Sequence, residues 1–184
     1  MSTRRAFLGV LATSTLGGCG YALVGRGTVV DPDIKKIGVP PFGNTSGKAD
    51  LDVKISQSVL EELLKRGRFD VVPDATGVNA LVKGEIVAYR AAPVGFGDGS
   101  TETGKSGGTA TTQASRYEIS VTAKVRYTKV GVEEPIWAND SFNFKEEYDL
   151  GSDPSAFIDR ETQALDRLAD AFARSLVASM LEAF

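Results

Sequence analysis

Hydrophobic and polar residues alternate over three stretches of the chain, the pattern of strands with one buried and one solvated face. The clearest is 116–128, whose apolar face would carry Tyr117, Ile119, Val121, Ala123, Val125 and Tyr127. Residues 79–89 predict a second strand, with one face formed by Ala80, Val82, Gly84, Ile86 and Ala88. Residues 136–148 predict a third, with Trp137 among the polar residues and an apolar side formed by Ile136, Ala138, Phe142, Phe144 and Tyr148.

Two shorter stretches also favour strands, at 34–42 and 69–72. Pro40 and Pro41 end the pairing of the first, because proline has no N–H to donate to a ladder. The turn-forming residues that follow, 43–48, predict a loop.

Helical spacing marks two other segments. In 49–66, apolar residues recur at steps of three and four, and Gly67 is a natural stop. From about 154 to the end, a second helix has an apolar stripe of Phe157, Ile158, Leu165, Leu168, Phe172, Leu176, Met180 and Leu181. Asp153 would cap this helix and Pro154 would take its first position.

Together these elements predict an α+β fold with two layers, in which two helices cover one face of a mixed or mostly antiparallel sheet of about four strands. Residues 19–184 are long enough for a single domain with its own core. Residues 95–113 are mostly Gly, Thr and Ser and predict a flexible loop, because they offer too little apolar surface to order themselves.

The first 18 residues have the three parts of a secretory signal: a basic start, a short apolar run and a small-residue exit. Leu16-Gly17-Gly18-Cys19 adds the pattern of lipoprotein processing, in which the Cys19 thiol accepts the lipid. The alternative is that Cys19 is an ordinary cysteine. Arg4-Arg5 is compatible with twin-arginine export, although the general secretory route is equally open.

The amino-acid composition excludes several kinds of catalytic and metal site. The chain has no His and a single Cys. This composition excludes Ser-His and Cys-His nucleophile pairs. If Cys19 carries lipid, it also excludes disulfides within the chain and metal sites made of thiolate or imidazole. Without residues 1–18, 19 basic and 24 acidic side chains remain, a net charge of −5. This acidity gives no general attraction to nucleic acid. We predict no cofactor, no metal and no catalytic residue.

Several segments resemble the lipopolysaccharide-assembly lipoprotein family, LptE. The resemblance begins at Gly18-Cys19-Gly20-Tyr21-Ala22-Leu23 and continues through 37–45 and 67–73. It returns at 144–148, 152–154, 164–168 and 172–176, so that it covers nearly all of 19–184 except the loop at 95–113. Ala22, where many members have a bulkier or polar residue, and the length of that loop depart from the family pattern.

The resemblance implies a non-enzymatic role at the outer membrane. LptE-like proteins plug the lumen of the lipopolysaccharide-transport β-barrel LptD, help it assemble and bind lipopolysaccharide. Gly20, rather than Asp, after the lipidated cysteine implies release to the outer membrane.

Lipopolysaccharide carries phosphates, which require Lys or Arg side chains held close together. The candidates are Lys105 in the loop, Arg116 at its exit and Arg160 near the start of the last helix. The alternative for each is an ordinary solvated charge.

Two other classes of function stay open. Residues 37–45, the helix after them and 68–72 also resemble envelope lipoproteins that activate peptidoglycan synthases or form curli-type secretion pores. An enzyme would need an acid–base pair, but Glu146 and Glu147 are neighbours on a strand and point to opposite faces.

Overall fold

The structure, a computed structural model, describes residues 31–98, 112–150 and 157–182. Within these ranges the chain forms six strands and two helices. In chain order they are β1 (Lys36–Gly38), β2 (Gly43–Asn44), α1 (Leu51–Arg66), β3 (Asp70–Val72), β4 (Ala80–Asp98), β5 (Thr112–Lys129), β6 (Pro135–Asp149) and α2 (Phe157–Glu182). The fold is α+β, as the sequence predicts.

The strands form one mixed sheet in the order β3-β1-β4-β5-β6, with β2 also paired to β4. The pairs β1–β3, β1–β4 and β2–β4 are parallel, whereas β4–β5 and β5–β6 are antiparallel. The sheet therefore has six strands in the described residues, and the prediction of about four was wrong. Pro40 and Pro41 separate β1 from β2, and β2 lies in the segment that was predicted as a loop.

The longest strands extend further than their alternation suggested. β4 continues to Asp98 and β5 begins at Thr112, and the two pair as far as Asp98 and Thr112. Both ends of the segment predicted as a flexible loop, 95–98 and 112–113, are therefore strand. Lys105 and the rest of that segment lie outside the described residues, as do Cys19 and the signal sequence.

Both helices pack on the same face of the sheet and against each other, so one apolar core lies between the two layers. α1 contributes Leu51, Ile55, Val59 and Leu63, all at most 1% exposed. From α2, Phe172 is fully buried, and its ring meets that of Phe142 on β6 edge-on at a centroid distance of 5.0 Å. The predicted apolar face of β5 is confirmed, since Ile119, Val121, Ala123, Val125 and Tyr127 are all buried.

Two bulges change which side chains face this core. In β4 the register shifts between Ile86 and Ala88, so Val87 is the extra residue and Ala88 is exposed. Tyr89, which pairs with the buried Val121, takes the helix-facing side instead. The prediction that Ala88 shares a face with Ile86 was therefore wrong.

A second shift lies in β6, where Phe142 pairs with Ala123 but Asn139 pairs with Val125. The extra residue reverses the facing of Trp137, Ala138 and Asn139. Trp137 therefore packs edge-on against Phe142, with ring centroids 6.2 Å apart, and Ala138 is exposed. The predicted faces of Trp137 and Ala138 were both wrong.

The helix ends follow local chemistry. Gly67 ends α1 in a left-handed conformation, with φ of 63°, and its N–H bonds to the carbonyl of Leu64. The predicted start of α2 at Pro154 and its cap Asp153 lie outside the described residues. None of the helices between residues 31 and 182 that the structure describes has the length and apolar character needed to span a membrane.

Candidate functional site

A cleft of about 330 Å³ opens where β6 ends and α2 begins. It is lined by Arg116 from β5, by Glu147, Tyr148 and Asp149 from β6, and by Arg160, Gln163 and Arg167 from α2. Three arginines from two layers of the fold thus meet at one end of the molecule, which makes this cleft the candidate site.

Strand pairing and helical spacing bring the side chains of the cleft together. Arg116 and Asp149 are direct partners across the β5–β6 ladder. Arg160, Gln163 and Arg167 are three and four residues apart, so they lie along one face of α2 over two helical turns. Because β6 is the last strand of the sheet, this helix face overhangs a free strand edge.

Arg116 is held by two carboxylates of β6. Its Nε lies 2.9 Å from Asp149 Oδ1, and its Nη1 lies 3.6 Å from Glu147 Oε2. The hydrogen bond to Asp149, with the charges of Asp149 and Glu147, raises the pKa of Arg116 above its usual value. Arg116 is about half exposed, so these contacts orient the guanidinium more than they stabilise the fold.

The two helix arginines reach back to the main chain of β6. Arg160 Nη1 donates to the carbonyl of Asp149 at 3.1 Å, and Arg167 Nη2 lies 3.5 Å from the carbonyl of Glu147. Arg167 Nε also bonds to Glu146 Oε1 at 2.7 Å. Free strand edges attract other strands, so these contacts occupy carbonyls that would otherwise be open to pairing.

Tyr148 forms the floor of the cleft. It is 5% exposed and lies among aromatic rings, stacked on Tyr117 and edge-on to Phe157. Its hydroxyl is buried and has no hydrogen-bond partner among the described residues. Burial, with smaller contributions from Glu161 and Tyr117, raises the pKa of Tyr148 to about 12. The hydroxyl is therefore protonated at neutral pH and able to donate.

The charges around the cleft balance. Against the three arginines stand Glu147 and Asp149 in the lining and Glu146 beside Arg167. Planar guanidinium groups suit phosphate oxygens, but an anionic ligand here would have to compete with carboxylates that already hold Arg116 and Arg167.

A second polar cluster lies near the start of α2. Glu161 accepts hydrogen bonds from Tyr89 Oη and from Lys48 Nζ, the latter at 2.9 Å. Lys48 Nζ also lies 5.2 Å from the centre of the Tyr89 ring. Burial raises the pKa of Glu161, but these two hydrogen bonds and the charge of Lys48 outweigh it and hold the pKa below its usual value.

The face of the sheet turned away from the helices is polar. Lys145 bonds to Glu118 at 2.9 Å, Asn143 to Thr122 at 2.9 Å, and Arg126 to Asp140 at 3.3 Å. We call these six residues, together with the exposed Lys83, Glu85 and Lys124, the polar sheet face. In the ranges that the structure covers, no three acidic side chains come together in a way that could hold a metal ion.

Comparison with known proteins decides the family. The sequence profile described as "LptE: Lipopolysaccharide-assembly" matches residues 34–180. This chain belongs to the LptE family. LptE is a non-catalytic lipoprotein family, and membership fits a lipoprotein of the cell envelope. A comparison with curated proteins found no match.

Three solved structures with a similar course of the chain are distant in sequence. A PelC dodecamer from Paraburkholderia phytofirmans is 14% identical, with a TM-score of 0.46 over 80% of this chain and 89% of that one. A minor lipoprotein from Acinetobacter baumannii is 11% identical, with a TM-score of 0.43 over 82% and 92%. A lipoprotein from Neisseria meningitidis is 12% identical, with a TM-score of 0.43 over 79% and 99%. At these scores no function follows from the likeness.

The structure brings together two of the three basic residues predicted from the sequence. Arg116 and Arg160 line the same cleft, and both lie within the residues matched to LptE. Lys105 lies outside the described residues, and Cys19 precedes the matched segment. Sequence analysis missed Arg167, although its spacing of seven from Arg160 already placed the two on one helix face.

Proposed function

We propose that this LptE-family protein is anchored to the outer membrane through lipid on Cys19, occupies the lumen of the lipopolysaccharide-transport β-barrel LptD and assists its assembly. We propose further that it binds lipopolysaccharide. The observation that carries the proposal is the family match, which spans 34–180 and so includes both helices almost completely and all six strands.

The polar sheet face supports the part of the proposal that concerns the barrel. The helices cover the apolar side of the sheet, whereas the other side presents charged and amide groups. A water-filled barrel has a polar interior, so a domain inside it needs a polar surface to meet the wall. Residues that hydrogen-bond across strands, such as Asn143 with Thr122, make this surface stable without a partner.

Co-purification tests the barrel. When the tagged lipoprotein is extracted from native membranes in mild detergent, we expect a large outer-membrane β-barrel of the lipopolysaccharide-transport type in near-equal amount. Reversing two charges on the polar sheet face, with Lys124→Glu and Arg126→Glu, should reduce its recovery. The control reverses two other exposed charges, Lys65 near the end of α1 and Arg68 just after it.

Other outcomes of that purification would contradict the proposal. A peptidoglycan synthase in the eluate would favour the alternative class of envelope lipoprotein. Recovery of copies of the chain alone would equally count against the barrel.

The arginine cleft is the proposed contact for lipopolysaccharide phosphate. Arg116 and Arg160 present guanidinium groups to the cleft from two elements of the fold. Lys105 is retained as a third basic candidate from the sequence. A phosphate that binds Arg116 would have to displace the carboxylates of Glu147 and Asp149. We therefore expect its binding to be of modest affinity and sensitive to salt.

Substitution of the arginines tests this contact. A hydrogen bond between charged groups contributes about 1.5–3 kcal/mol, so Arg116→Ala with Arg160→Ala should weaken binding of labelled lipopolysaccharide by roughly tenfold or more. Arg126→Ala is the matched control, because Arg126 is also an exposed arginine paired with an aspartate. Lys105→Ala is measured separately. Equal affinities for the double variant and the natural protein would remove the cleft as the binding site.

A further inference from the structure

The turn between β5 and β6 carries two exposed aliphatic side chains. Val130 is 53% exposed and Val132 is 50% exposed, on either side of Gly131, whose φ of 86° allows the tight reversal. The N–H of Val132 bonds to the carbonyl of Lys129 at 3.2 Å, which closes the turn. Both valines therefore project from the tip of the hairpin.

The chain enters the described fold at this same end. Lys129 Nζ bonds to Asp31 Oδ2 at 2.6 Å and to Asp33 Oδ2 at 3.4 Å. The hydrogen bonds from Lys129 and from the main-chain N–H of Asp33 lower the pKa of Asp31 below its usual value. The first described residue is thus tied to the base of the hairpin that bears the valines.

Asn79 adds a second connection between the entering chain and the hairpin. Its side-chain oxygen accepts the N–H groups of Lys35 and Lys36 at 3.2 and 2.9 Å, and its carbonyl accepts the N–H of Val130 at 2.9 Å. The entry point and the hairpin are therefore joined by hydrogen bonds to the same residue, Asn79.

Distances along the chain set this end apart from the arginine cleft. Cys19 is twelve residues before Asp31, and twelve residues span at most about 43 Å. Arg116 is thirteen residues along β5 from Lys129, which places the cleft roughly 43 Å from the entry point at about 3.3 Å per residue. The chain from a lipid anchor at Cys19 therefore joins the fold at the hairpin end of β5, whereas the arginine cleft lies at the opposite end of that strand.

We propose that Val130 and Val132 form a membrane-contact surface that rests on a zwitterionic lipid leaflet beside the anchor. This inference depends on the proposed lipid anchor at Cys19. Charge selects the kind of lipid: Asp31, Asp33, Glu133 and Glu134 outnumber Lys35 and Lys129 at this end, so anionic lipid would repel it. The arginine cleft then points away from the leaflet that holds the anchor.

The chain contains a single tryptophan, which allows a direct test. Trp137 pairs with Tyr127 near the hairpin tip. The full lipidated protein is bound to phosphatidylcholine vesicles whose acyl chains are brominated, because bromine quenches tryptophan fluorescence at short range. We compare Trp137→Phe with Val132→Trp, which puts the only tryptophan at the tip, against Trp137→Phe with Val53→Trp.

Val53 is the matched control, since this valine of α1 is 57% exposed and lies in the helix layer. A contact surface of this kind reaches roughly 5–10 Å into the interface, so quenching at position 132 should exceed that at position 53 by at least about twofold. Replacing part of the phosphatidylcholine with anionic lipid should reduce quenching at position 132. Equal quenching at 132 and 53 would overturn the proposal.

A variant without a new tryptophan checks the result in case Val132→Trp perturbs the turn. Val130→Ser with Val132→Ser should lower the quenching of the natural Trp137, and no change would count against the contact surface. Vesicle flotation and the mass of the protein report the anchor separately. Failure to float would contradict the lipid anchor, whereas flotation without quenching would contradict only the membrane contact.

Discussion

At the scale of single residues, Gly84 shows how closely the two layers approach. It lies on the helix-facing side of β4, and a Cβ placed there would stand 2.2 Å from Cε2 of Phe42. Phe42 is 3% exposed and fills the space that a side chain at position 84 would need. Glycine is therefore required here by packing, and its backbone conformation plays no part.

Substitution of Gly84 should be costly. Overpacking of a core costs about 1–3 kcal/mol, so Gly84→Ala should lower the free energy of unfolding by that amount in urea titrations. Gly43→Ala is the control: its Cβ would lie 3.5 Å from Glu85 Cγ, an ordinary contact, and the change should stay within about 0.5 kcal/mol. An unchanged urea midpoint for Gly84→Ala would show that Phe42 is not packed as described.

At the scale of elements, periodicity predicted the type of most helices and strands because their buried faces are apolar throughout. The alternation along β5 gave its core face correctly from Ile119 to Tyr127. It failed at Ala88 and Trp137, since a single extra residue in β4 or β6 reverses the facing and leaves the hydrophobic pattern almost unchanged. β2, only two residues long, has no pattern of its own to detect.

Contacts between elements that are distant along the chain could not be predicted from the sequence either. Glu161 joins α2 to β4 and to the loop before α1, through partners 72 and 113 residues away. Its side chain is 14% exposed. Because folding lowers the pKa of Glu161, its ionised form contributes stability above the usual pKa of 4.5, and this contribution is lost as the pH falls further.

The Glu161 cluster predicts a pH-dependent difference between variants. At neutral pH, Glu161→Gln should lower the free energy of unfolding by about 1–2 kcal/mol, because the hydrogen bonds to a charged group are weakened. The difference from the natural protein should shrink as the pH falls below 4.5. Asp166→Asn is the control, since Asp166 pairs with Lys54 but is 57% exposed and should change stability less. A difference that persists unchanged at low pH would contradict the ionised contact.

At the scale of the whole molecule, the described structure has two different ends and two unlike faces. The arginine cleft lies at one end of the long strands, and the hairpin with Val130 and Val132 lies at the other. Arg116 and Arg160 could be chosen from the sequence by charge and position. Their meeting depends on β6 running beside α2, which no local pattern specifies.

We propose that the polar sheet face meets the barrel wall, and a photo-crosslinker placed there tests this contact most directly. A benzoylphenylalanine at Lys124, exposed in the middle of β5, is activated by light in living cells. We predict a crosslinked product with a large outer-membrane β-barrel of the lipopolysaccharide-transport type, and much less of it from the same group at Lys65 on α1. A product with a peptidoglycan synthase or with a second copy of the chain, or equal yields from both positions, would contradict the account.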